Sequence, residues 1–293
     1  DCVALLSGGV DSFVGAARLL SEGHSPLFVS HTAAGAISHA QSQVHAHLSQ
    51  GWSARERVTL TAQKRGASIV SEPSQRSRSF FFLAAAALAA GVDGSGSVFI
   101  NENGVMALHL PLTTARIGSL STHTASPAIM ERVEALASDV LQAPIRIENN
   151  LVSRTKPEVV ELAASLGLGN ALHQSVSCWA IGRTSAHCGF CVPCIIRRIS
   201  FEVHGVPDAA YTNDLFGDRT TLGNPQAMDN LTHMIRHVTD LSTLDDILMQ
   251  ITFAELLNGG AALPLAEAID LQRRWSMQAI GVLQSHPVPR SIW

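Results

Sequence analysis

The sequence predicts an α/β protein: an open, mainly parallel sheet with flanking helices, a cysteine knuckle and a C-terminal helical extension. Three observations predict it. Short apolar runs alternate with amphipathic stretches of helical length over about the first 200 residues, the pattern of parallel strands joined by crossover helices. The first of these runs ends in a hexapeptide rich in serine and glycine that opens directly into a helical pattern. After Gly217 the strand-like runs stop and only helical segments follow.

Taken in order, Cys2 to Leu6 reads as a strand, and Phe13 to Leu20 as the helix after the hexapeptide. Pro26 to Ser30 is the second strand, and Ala40 to Leu48 a helix with histidines on one side. Val58 to Leu60 and Ser68 to Ser71 fit short strands in an ambiguous stretch. Ser79 to Ala90 is a helix so apolar that it is expected to be buried, and Gly91 to Gly96 punctuates it. Val98 to Ile100 is a buried strand running straight into Asn101, Glu102, Asn103 and Gly104. Pro127 to Leu141 is an amphipathic helix and Ile145 to Ile147 a strand. Lys156 to Leu166 is a helix with proline at its second position, where a missing N–H does no harm. The cysteine-rich segment 178–194 runs into a helix over Ile195 to Val203, and helices are expected near 224–238, 243–257 and 264–284. The chain therefore divides into residues 1–203, carrying the sheet and the cysteines, and a helical extension over 204–293.

Composition narrows the function. Of 293 residues 46% are apolar and 15% charged, which is globular rather than disordered. The net charge of −4 provides no long-range field for nucleic acid and argues against direct nucleic-acid binding. No apolar run approaches the roughly 20 residues of a membrane span. The chain starts at Asp1, almost inside a strand, so a longer native protein extending upstream is expected. Four of the five cysteines fall within 17 positions, which suits a metal site in a reducing cytoplasm better than disulfides. Lys64 and Lys156 are the only lysines, so a catalytic ammonium has few candidates.

Ser7-Gly8-Gly9-Val10-Asp11-Ser12 stands where a strand turns into a helix. A helix start exposes unpaired N–H groups and about half a positive charge, and glycines let an anion approach the backbone. Ser7 and Ser12 add hydroxyls, and Asp11 can cap the helix or hold a magnesium-bound water. The segment is neither a Walker loop nor a dinucleotide turn, since both spacings are missing. Cys178, Cys188, Cys191 and Cys194 form C-x9-C-x2-C-x2-C, enough thiolates to close a tetrahedral zinc shell. An iron–sulfur cluster is the rival, weakened because its expected fourth ligand falls at Arg198. Cys2 is expected to be a core residue.

The hexapeptide in strand–turn–helix context resembles the PP-loop of the N-type ATP pyrophosphatases. Together with the cysteines it resembles the QueC family, the 7-cyano-7-deazaguanine synthases. Further support comes from Ser177-Cys178-Trp179, from Cys188-Gly189-Phe190-Cys191-Val192-Pro193-Cys194 followed by Arg197, from Thr155-Lys156-Pro157-Glu158, and from Arg78 before the alanine-rich helix. Two departures stand out. Ser30-His31-Thr32 replaces that family's aromatic Asp-Tyr-Gly-Gln signature, and its Tyr-Pro-Asp-Cys segment gives way to Glu102-Asn103-Gly104 and a run containing Arg116. In this the chain looks like the QueC-like proteins of antiphage systems, QatC of Qat and its counterpart in type IV CBASS.

The resemblance implies a PP-loop/HUP-like sheet and a cytoplasmic, carbon–nitrogen bond-forming ligase that uses ATP, Mg2+ and Zn2+. Its implied substrate is 7-carboxy-7-deazaguanine, adenylated with release of pyrophosphate and passed to an amine. In the defence branch that amine belongs to an operon-encoded partner protein. Nitrile synthesis proper and a silent nucleotide-binding scaffold remain the alternatives. Asp11, Ser12 and Lys156 are the catalytic candidates. ATP is expected on residues 7–12, His31 and Arg78, with the substrate on Glu102, Asn103, Arg116 and Arg197. Glu102 and Asn103 have a plain turn as their other reading, and Arg197 has packing beside the metal site.

Overall fold

A computed structural model describes residues 1–32, 35–62, 78–113, 125–184 and 186–293. Five parallel strands form one sheet in the order β3-β2-β1-β4-β5, with β1 Cys2–Leu5, β2 Pro26–His31, β3 Arg57–Leu60, β4 Ser97–Phe99 and β5 Arg146–Glu148. Its central strands β1 and β2 are buried on both faces, as in all-parallel sheets, while the edge strands β3 and β5 are partly exposed, and alternate residues serve opposite sides. Val3, Val29, Val98 and Ile147 enter one apolar cluster, while Ala4 and Phe28 enter the other. Strand order reverses at β1, and ligand crevices of open α/β sheets lie at the carboxyl ends there.

The helices are α1 Val10–Ser21, α2 Gly35–Gly51, α3 Arg78–Asp93, α4 Gly104–Leu108, α5 Pro127–Leu141 and α6 Lys156–Ser165. Then come α7 Ile181–Thr184, α8 Val192–Val203, α9 Pro225–Thr243, α10 Asp246–Thr252, α11 Leu265–Ser285 and α12 Pro287–Arg290. α1, α2 and α6 cover one face; α3, α4 and α5 cover the other together with α8, α9 and α11. The helices beyond 217 therefore share a core with the sheet. Trp275 of α11 is buried in the same cluster as Val3 and Val98. Among the described residues, no helix is long and apolar enough to cross a membrane.

Several expectations change. α3 is not buried all round. Leu83, Ala86, Ala87 and Ala90 face the core, but Phe80, Leu88 and Val92 face solvent, so its apolar composition exceeds what packing uses. α4 went unread because five residues hold too little periodicity; Asn103 starts it by accepting the Met106 N–H at 3.2 Å. α8 begins at Val192, so the last cysteine of the knuckle stands inside its first turn. The stretch 243–257 breaks at Phe253 into α10 and a 3-10 turn, Ala254–Gly259. Ser68 to Ser71 lie outside the described residues.

Candidate active site and metal centre

The carboxyl ends of β1, β2 and β4 open into a cavity of about 650 Å³. Ser7, Gly9 and Ser12 of the hexapeptide line it, together with His31 at the end of β2, Glu102 after β4, and Cys178 and Trp179. Sequence order explains the part taken by the hexapeptide. α1 starts at Gly9, which provides no side-chain cap, so the first N–H groups of the helix are left to another acceptor. Ser7 Oγ lies 3.0 Å from Ser12 Oγ and accepts the Gly9 N–H at 3.3 Å, while Ser12 Oγ donates to the Gly9 carbonyl at 3.0 Å. Gly8 holds φ +82°, and a Cβ there would stand 3.0 Å from the Gln41 backbone nitrogen of α2. The Gly8 carbonyl accepts the Val176 N–H at 2.9 Å, which ties the loop to the chain leading into the cysteines. Val10 turns its side chain into the core, leaving its backbone alone to serve the loop.

Asp11 does not cap α1. Its carboxylate points inward, where Oδ2 accepts the Lys156 ammonium at 2.7 Å and the Asn103 Nδ2 at 3.0 Å. Burial alone would raise the Asp11 pKa, but the Lys156 charge and hydrogen bonds from its neighbours hold it below the usual value. Glu102 faces Asp11 and goes the other way. Burial first, then the Asp11 charge and a hydrogen bond to that acid, hold the Glu102 pKa well above the carboxylate range. Lys156 occupies the first position of α6, whose start is fixed by a capping box. Thr155 Oγ1 accepts the Glu158 N–H at 3.3 Å, and Glu158 Oε2 accepts the Thr155 N–H at 2.9 Å. The anion offsetting a lysine at a helix start is thus the protein's own carboxylate.

Other candidates are placed differently from their ligand-binding reading. Asn103 is fully buried, with its oxygen on α4 and its nitrogen on Asp11, and so belongs to a turn and a brace. Arg197 is also fully buried. Its guanidinium donates to the carbonyls of Leu172 and Ser175, to Ser175 Oγ and to Asp208, so it packs beside the cysteine knuckle with its donors spent. His31 closes the β2 side against the rings of Phe81 and Phe82, at 5.3 and 5.6 Å. Arg78 opens α3, but its side chain, like the whole of Arg116, lies outside the described residues.

The Sγ atoms of Cys178, Cys188, Cys191 and Cys194 all lie within 4.8 Å of one another. Two of the edges measure 3.9 and 4.0 Å. A tetrahedron with Zn–S bonds of about 2.3 Å has edges of about 3.8 Å, so the cluster fits zinc. Backbone N–H groups of Ala180, Cys188 and Cys191 already point at sulfur, at 3.3 to 3.4 Å. A hydrogen bond from Cys194 is the largest influence on the Cys191 thiol and brings its pKa down to about 5. Gly189 turns the knuckle with φ +87°; a Cβ there would meet the Asn213 carbonyl oxygen at 2.0 Å. In the sequence Trp179 counted only as part of the Ser177-Cys178-Trp179 stretch and was given no role; the fold sets it at the cavity wall.

Comparison with known proteins bears on this half of the site. Residues 118–205 match the family model described as queuosine biosynthesis protein QueC. That region of the chain is QueC-like. Three similar relatives are named 7-cyano-7-deazaguanine synthase. The protein of Ralstonia pickettii is 36% identical over 64 residues, covering 22% of this chain and 28% of the relative. That of Anaeromyxobacter is 36% identical over 87 residues, covering 28% of this chain and 36% of the relative. That of Syntrophobacter fumaroxidans is 29% identical over 131 residues, covering 45% of this chain and 53% of the relative. The chain thus spans about half of these relatives' length or less. The QueC-like region holds Lys156 and all four cysteines of the knuckle, and the hexapeptide lies upstream of it.

Proposed function

We propose that the protein adenylates the carboxylate of a 7-carboxy-7-deazaguanine-type substrate with ATP and transfers the acyl group to an amine. One observation carries the reading: an uncapped helix start, bearing Ser-Gly-Gly-Val-Asp-Ser, opens into a 650 Å³ cavity that is also lined by Cys178 and Trp179 of the QueC-like region. The N–H groups of residues 9–12 and the hydroxyls of Ser7 and Ser12 take the phosphates. His31 lies on the adenosine side, over β2. The carboxylate oxygen attacks the α-phosphorus and pyrophosphate leaves; an amine then attacks the acyl carbon and AMP leaves. Catalysis is positioning and charge compensation at a preorganised anion site.

The Asp11 and Glu102 carboxyls, side by side and buried, fit a magnesium site in which Glu102 gives up the proton it shares with Asp11. Magnesium bound there would neutralise the triphosphate. Lys156 keeps Asp11 ionised and the start of α1 in place. Zinc at the knuckle would hold the wall bearing Trp179 and contribute no reacting group, since four protein ligands leave no open position. Residues 1–203 act as the catalytic unit. Residues 204–293 buttress it, since Gln278 and Arg274 of α11 bond Thr155 and Glu158 at the start of α6.

As in antiphage QueC-like proteins, the acceptor amine is that of a partner protein. The test is AMP and pyrophosphate release from ATP with 7-carboxy-7-deazaguanine, followed by intact mass spectrometry of neighbouring gene products. A base-sized mass increment supports conjugation; a free nitrile product would replace it with ordinary nitrile synthesis. ATP binding with no turnover on any carboxylate would leave only a scaffold.

A further inference from the structure

Three asparagines surround the end of β4, and two are fully engaged. Asn149 accepts the Glu102 N–H at 3.2 Å and donates to the Glu102 carbonyl at 2.8 Å. Asn103 joins α4 to Asp11. Asn101 differs. It lines the cavity and is 95% buried, yet neither Oδ1 nor Nδ2 has a hydrogen-bond partner and both are shielded from solvent. A buried amide left unmade on both atoms is unfavourable, and native structures seldom keep one without a use. The fold makes room for it. A Cβ on Gly15 of α1 would lie 2.1 Å from the Asn101 Cγ, so only glycine at that position lets the amide sit there.

We propose that Asn101 reads the edge of the substrate's base. This rests on the adenylation reading above and adds a residue that reading did not use. An amide presents an acceptor and a donor side by side in one plane, the complement of a ring N–H beside a ring carbonyl, as on the lactam edge of a deazaguanine. Position selects the substrate over adenine. β4 flanks β1 on the side opposite β2, so Asn101 and His31 stand on opposite sides of the phosphate loop. With the adenosine over β2, the base to be acylated lies over β4. A side-chain rotation brings the shielded amide to the ligand and satisfies both of its atoms at once.

Calorimetric titration of the full chain with ATP and, separately, 7-carboxy-7-deazaguanine tests this, alongside thermal melting. Asn101→Leu should melt no lower than the parent, because it removes an unpartnered group. It should bind the deazaguanine at least 10-fold more weakly and ATP within twofold of the parent. Asn101→Asp, the same shape with the donor replaced by a carboxyl oxygen, should show the same selective loss and guards against a packing fault in the leucine variant. Unchanged deazaguanine affinity in both variants overturns the inference and leaves the adenylation reading standing. Loss of ATP affinity instead would assign the amide to adenine and overturn the substrate assignment. A parent protein that binds ATP but no deazaguanine would overturn both.

Discussion

Lys156 and Asp11 come from segments 145 residues apart and meet with both side chains almost wholly buried. Breaking such a pair on one side leaves a buried charge uncompensated. Lys156→Met should therefore lower unfolding free energy by about 3 kcal/mol or more, read by denaturant melts. The double variant Asp11→Asn/Lys156→Met should regain most of that loss while remaining inactive, which separates the structural from the catalytic role. Glu102 provides a test in pH. Its folded-state pKa is raised, so the stability tied to its neutral form is complete below the unfolded value of about 4.3 and is lost as pH rises through the folded value. Glu102→Gln should abolish that decline and melt about 2–4 °C higher than the parent at pH 8, with no gain at pH 4.

At the scale of elements, the knuckle and the extension each hold a wall of the site in place. Cys178 lines the cavity and Cys194 lies within the first turn of α8, so losing the metal should loosen both the wall and a core helix. Cys191→Ser, or a strong chelator, should shift the fluorescence of the exposed Trp179 and weaken ATP binding; retained binding after complete zinc removal would uncouple the two. The extension carries its own acid limit. His237 of α9 is buried against the ring of Phe253, and burial lowers its pKa to about 4. A lowered folded-state value means that its contribution is complete above about 6.5 and is lost as pH falls towards 4. His237→Phe should remove that part of the acid sensitivity, measured as melting temperature between pH 7 and 4.

The whole molecule shows which features a sequence displays and which it hides. The loop at 7–12 and the cysteine spacing were legible because each packs its chemistry into consecutive or regularly spaced residues. The sheet was legible because its buried strands are bare apolar runs between helices. The Asp11–Lys156 pair was not, since nothing local marks two residues that tertiary folding alone joins. Asn103 and Arg197 looked like ligand contacts because they are polar residues near motifs, but the fold had already committed their hydrogen-bonding groups. Asn101 attracted no attention for the opposite reason: its significance is a lack of partners, which only a three-dimensional structure reveals. α3 misled because eleven apolar residues in a row suggest full burial, whereas the sheet needs only one face of the helix.

The account depends most on the start of α1 being an anion site. Gly9 lies in extended backbone, φ −85° and ψ 167°, which any residue adopts, and aspartate is a favourable helix cap. A Cβ on Gly9 would stand 3.3 Å from Ser7 Oγ, which has to give by a few tenths of an ångström, so Gly9→Asp should fold about as stably as the parent while placing a carboxylate where the phosphates bind. Calorimetric titration with MgATP is the most direct measurement. A loss of 100-fold or more in affinity, with a nearly unchanged melting temperature, is the expected result; ATP affinity within a few-fold of the parent would contradict the account.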